Sequence, residues 1–134
     1  MDQSYIKLLI FSVIILLSAC GAQSTREFSK GTENMESWTV NLPMHDVYSD
    51  YRDYSVDKYN RGRAGIIITG GMSVQSDYFG DDKGAEITIR TSTTIYSSPV
   101  LHFEFKKSQE GTLIKAWYFS NSWKKVLNDY KALD

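Results

Sequence analysis

Few side chains in this 134-residue chain are equipped for chemistry, and their spacing says which chemistry is open to each. Cys20 is the only cysteine and follows Leu17-Ser18-Ala19. A thiol behind two small residues suits alkylation by a lipid, because small side chains let a peptidase reach the backbone. Asp46, Asp50, Asp53 and Asp57 stand at i, i+4, i+7 and i+11, which lines four carboxylates along one side of a helix. Like charges at that spacing cost about 0.2–0.5 kcal/mol per pair, and the face they make attracts a cationic partner. His45 and His102 are the only histidines, so any triad or zinc site must use one of them. With no H-x-x-x-H spacing and no cysteine left to help, the expectation is no catalytic residue, no metal and no cofactor. His102 is expected on the solvent side of its strand.

Other constellations read as architecture. Tyr48, Tyr51, Tyr54 and Tyr59 crowd the aspartate-bearing segment, and packing with their hydroxyls at the rim accounts for the first three. Asp77 to Gly84 is a loop by composition. It lacks a calcium loop's ligands, since Phe79 stands where an oxygen donor is required and Thr88 where a bidentate glutamate is required. Gly70-Gly71 has no phosphate-binding context, and Asp81 and Asp82 lie in a polar stretch with nothing to separate their acidities.

The elements that hold these residues follow from periodicity. Trp38, Val40 and Leu42 alternate with polar residues as in a half-buried strand, and Pro43 ends it. Met44, Val47, Tyr48, Tyr51, Tyr54 and Ser55 then follow helical spacing, with Gly62 as the stop. Residues 64–69 are β-branched and compact, and 72–75 form a weaker strand. Ala85, Ile87 and Ile89, then Leu101, Phe103 and Phe105, alternate as one-sided strands of an antiparallel sheet. Thr112 to Phe119 is apolar on both faces, hence central or covered, and Asn121 or Ser122 caps a final helix carrying Trp123, Val126, Leu127 and Tyr130. The order predicts an α+β domain, an antiparallel sheet of about five strands with two helices on one face.

Net charge is −1, which argues against nucleic acid as a partner. Lys7 precedes an apolar run from Leu8 to Leu17, too short for the roughly 20 residues that span a bilayer as a helix. Charge, apolar run, small residues and cysteine together resemble the N-termini of bacterial lipoproteins, and Leu17-Ser18-Ala19-Cys20 matches their lipobox at every position. The resemblance implies cleavage before Cys20, diacylglycerol on its sulfur and acylation of the new amine. In that family an aspartate after the cysteine retains the protein on the inner membrane. Gly21 stands there instead, which implies the outer membrane, with the domain facing the periplasm.

The expected organisation is a signal peptide over 1–19, a lipidated cysteine and polar, glycine-containing tether over 20–36, and one domain over 37–134. Leu42-Pro43 ahead of a helix and Trp123 in a closing helix are also similar to small uncharacterised proteobacterial lipoproteins, a likeness that implies no activity. The expected function is a non-enzymatic, membrane-tethered binder of a protein or envelope component, partnered through Asp46, Asp50, Asp53 and Asp57. The alternatives are an immunity or inhibitor protein that uses the aspartate face or inserts the 77–84 loop, and a lipid or small-ligand carrier with a cavity between sheet and final helix lined by residues such as Phe103, Phe105, Trp117 and Trp123.

Overall fold

The computed structural model describes residues 24–60, 71–92 and 96–134; Cys20, Gly62 and the strand expected at 64–69 lie outside the described residues. The elements run α1 (Thr25–Gly31), β1 (Met35–Val40), α2 (Met44–Tyr59), β2 (Gly71–Gly80), β3 (Gly84–Ser92), β4 (Ser97–Ser108), β5 (Gly111–Tyr118) and α3 (Asn121–Lys131). The strands form one antiparallel sheet in the order β1-β5-β4-β3-β2, so the chain is an α+β protein as the periodicity implied. β2 to β5 are a meander, while the connection containing α2 carries the chain from one edge of the sheet to the other.

One face of the sheet carries Val40, Ala85, Ile87, Ile89, Leu101, Phe103, Phe105, Ile114 and Ala116, all buried, and α2 and α3 both pack there. Tyr51 of α2 meets Phe103 and Phe105 edge-on, with centroids 5.5 and 5.4 Å apart, and Tyr130 of α3 lies 5.3 Å from Tyr51 and 4.7 Å from Phe103. Each such ring pair adds about 0.5–1.5 kcal/mol beyond area burial. The buried hydroxyls are satisfied within the layer: Ser55 Oγ donates to the Tyr51 carbonyl and pairs with the Tyr130 hydroxyl at 2.7 Å, and the Tyr51 hydroxyl donates to Asp134 at 2.8 Å. Burial pushes both phenols well above the usual tyrosine range. At the surface Lys58 of α2 donates to Asp129 of α3 at 2.9 Å, tying the two helices.

Glycine is required where β5 starts. Gly111 has φ +130°, and an added Cβ would collide with the Val40 carbonyl oxygen, so the β4–β5 turn closes against the end of β1 only without a side chain.

Three elements depart from the sequence reading. Thr25–Gly31, inside the expected tether, is a helix with a reciprocal cap: the Glu27 N–H donates to Ser24 Oγ and the Ser24 N–H donates to the Glu27 carboxylate, both at 3.1 Å. Its Phe28 is buried, and α1 packs against β4. The loop expected at 77–84 shrinks to a turn at Asp81–Lys83, because Asp77 and Tyr78 pair with Glu86 and Ala85 and extend β2 to Gly80 through an irregularity in register. The N-cap of α3 is Ser120, one residue ahead of Asn121 and two ahead of Ser122, the expected caps.

Two measurements check this framework. Ser55→Ala strands the buried Tyr130 hydroxyl and is expected to cost about 1–3 kcal/mol in urea unfolding, whereas Ser55→Ala with Tyr130→Phe costs less than the sum of the single variants. Glu36 on β1 accepts from Lys131 of α3 at 2.6 Å, with Lys124 at 3.7 Å, and the Lys131 bond holds its carboxyl below the usual range. Its folded pKa is depressed, so its contribution is present above the unfolded value and lost as pH falls through the folded one. Glu36→Gln is expected to lower neutral stability by about 0.5–1 kcal/mol and to flatten the decline in stability between about pH 5 and pH 3.

Candidate functional site

The four aspartates lie where helical spacing put them. Asp46, Asp50, Asp53 and Asp57 are all exposed on α2, along the side opposite its buried Val47, Tyr51 and Ser55. Arg52 reaches Asp53 at 2.8 Å and His45 lies 3.7 Å from Asp46. These contacts are solvent-exposed and each contributes about 0–1 kcal/mol, so the stripe remains a presented acidic surface. Tyr48 and Tyr51 are buried and Tyr54 and Tyr59 pack on the core, which makes the tyrosines structural.

The second face of the sheet holds a constellation that sequence reasoning missed. Strand pairing assembles two rows across it. One runs Asp77, Glu86, Glu104, Lys115 and Ser37, and the other Gln75, Thr88, His102, Trp117 and Met35. His102, expected to be exposed, is 2% exposed. It stands on β4, the central strand, with Thr88 directly across on one side and the Trp117 indole 5.5 Å away on the other, and α1 packs on the same strand. Alternation located its face correctly, but that face is covered rather than solvated. Arg90, also on this face by alternation, donates to Thr25 of α1 at 3.3 Å.

The geometry around His102 is specific. Its Nδ1 lies 2.9 Å from Thr88 Oγ1, and its Nε2 points at Glu104, 3.7 Å from Oε1. That imidazole is the main influence holding the Glu104 carboxyl below the usual carboxylate range, with Lys106 and Lys115 adding to it against the effect of burial. Glu86 faces Glu104 directly across the β3–β4 pair, a like-charge juxtaposition that costs stability in a sheet. The imidazole nitrogen and one oxygen from each glutamate all lie within 4.8 Å of one another. The sequence trace of this cluster was local but faint: His102 and Glu104, two apart in a strand, share a face, and only the register adds Glu86.

Trp117 contacts His102 and so lies on the face opposite Phe103 and Phe105, which excludes the single cavity lined by Phe103, Phe105, Trp117 and Trp123. Among the described residues, one open groove of about 460 Å³ is lined by Leu42, Pro43, Met44, His45, Asp81 and Lys107 among others. Its only histidine is exposed and its carboxylate accepts from the Tyr78 hydroxyl. Set against known protein families, curated proteins and solved structures, the chain finds no match in any of the three, so the site is argued from its own residues.

Proposed function

We propose that this chain is a non-enzymatic lipoprotein, anchored through acylated Cys20 in the outer membrane, that binds a cationic protein or envelope component from the periplasmic side through Asp46, Asp50, Asp53 and Asp57. The observation that carries the reading is the order of layers. α1 packs on the second face of the sheet and α2 on the first, so the aspartates project from the layer opposite the one nearest Cys20. Four residue steps separate Cys20 from the Ser24 cap, a reach of at most about 14 Å even when fully extended. An anchor at Cys20 therefore holds the α1 side near the bilayer and presents the acidic stripe away from it. Two or more acyl chains, at about 0.8 kcal/mol per buried methylene, make that attachment stable.

An inhibitor of a basic enzyme would use the same stripe. The β2–β3 turn offers it little to insert, because Asp77 to Gly80 are committed to strand pairing.

Two experiments test the proposal. Cys20→Ser is expected to abolish the lipid-dependent mass increase and to move the protein from the sedimented envelope to the soluble fraction; retention of both mass and sedimentation would remove the anchor. Crosslinking in intact cells is expected to capture a basic partner with the natural chain and at least about tenfold less with Asp50→Lys/Asp53→Lys, since reversing two charges at a steered interface costs more than 1.4 kcal/mol. Undiminished capture would exclude the acidic face.

A further inference from the structure

We infer that Glu86, His102 and Glu104 form a binding site for one divalent transition cation of the zinc type on the second face of the sheet. The donor set is the first reason. One imidazole with two carboxylates suits zinc and its neighbours, whereas calcium and magnesium prefer all-oxygen shells of six or more ligands.

The second reason is how His102 is held. A histidine 2% exposed is fixed in place, and Thr88 Oγ1 at 2.9 Å from Nδ1 is the kind of outer contact that sets the tautomer and aims the other nitrogen. With Nδ1–H donating to Thr88, the Nε2 lone pair faces the Glu104 oxygen at 3.7 Å, an arrangement that a proton or a metal cation between them relieves. With the opposite tautomer, Nε2–H faces that oxygen at a distance too long for a hydrogen bond. Ligands of one tetrahedral zinc at 2.0–2.2 Å lie about 3.4 Å apart, so the His102–Glu104 pair at 3.7 Å needs a small closure and the cluster as a whole, within 4.8 Å, a larger one. Glu86 and Glu104 are partly exposed and free to make it.

Charge is the third reason. The row Asp77, Glu86, Glu104 and Lys115 carries three carboxylates and one ammonium, a formal −2 that one divalent cation neutralises. Lys106 stands one row away and moderates the attraction without entering the cluster. Three protein ligands leave a fourth position to water, reached from the side on which the glutamates are exposed.

The site is tested on the full chain purified in detergent. Calorimetric titration with Zn²⁺ alone is expected to give one ion per chain at micromolar affinity or tighter, and Co²⁺ the intense visible absorption of a tetrahedral complex. His102→Gln is expected to abolish both; because that residue is buried and its replacement can unfold the domain, the isosteric Glu86→Gln and Glu104→Gln carry the test, each weakening Zn²⁺ at least tenfold. His45→Ala is expected to leave the titration unchanged. No uptake of Zn²⁺, uptake indifferent to both glutamine variants, or uptake that instead follows His45 or Cys20 overturns the inference.

Discussion

The aromatic junction of Tyr51, Phe103, Phe105 and Tyr130 is the contact on which the rest of the structure depends. It is the place where both long helices meet the central strand, and all four rings are fully buried. Cys20 being the only cysteine, no intramolecular disulfide can restrain the chain, so the layers must be held by packing. The junction does this with rings that carry hydroxyls, and those hydroxyls need partners. Ser55 meets Tyr130, and Asp134 at the end of the chain meets Tyr51, so the same residues that fill the core also fix how α2 and α3 lie against each other. Apolar rings alone would leave the helices freer to slide, because dispersion and burial are nearly indifferent to small shifts while a buried hydrogen bond is not.

Once α2 and α3 cover the first face, the second face becomes a different environment. It is neither a second core nor an open polar surface. Its central strand is shielded by α1 and Trp117, and Lys115, Glu86 and Glu104 remain partly wet at the margin. Polar groups at such a boundary keep their charges while losing some of the screening that water gives, which strengthens whatever interactions they make. The cross-strand Glu86–Glu104 pair is costly in that setting, and the fold keeps it where a hydrophobic or oppositely charged pair would be more stable.

The sequence revealed what is local and concealed what is not. β3, β4 and β5 and both long helices were legible, because alternation at Ala85–Ile89 and Leu101–Phe105 and the helical repeat through Val47 and Tyr51 are written within a few residues. The aspartate stripe was legible for the same reason. The α1 helix was missed although Ser24-x-x-Glu27 is a capping-box pattern, because a polar seven-residue helix has only Phe28 to reveal it. The strand character of Asp77 to Gly80 was hidden because its composition favours a turn and only pairing with β3 overrides that preference. The Glu86–His102–Glu104 cluster joins residues up to 18 positions apart through register, and the burial of His102 depends further on α1, so neither could be read from either segment alone.

The two polar surfaces differ in a way that bears on what each can do. The α2 aspartates sit on exposed side chains, and Arg52, which reaches Asp53, is itself solvated. Nearby Lys58 is directed to Tyr54 and Asp129, where it joins helix to helix, rather than spread along the stripe. An exposed stripe of this kind holds a field but no fixed geometry, so it can raise the encounter rate of a cationic macromolecule without selecting a small one. The second-face cluster is the reverse, since its donors are set by strand register and by a buried imidazole whose orientation Thr88 determines. Donors at ångström spacing around a fixed imidazole discriminate by size and coordination, which a diffuse stripe does not. The sheet thus separates a diffuse electrostatic surface from a geometrically defined one, and a change at either must pass through the aromatic layer between them to affect the other.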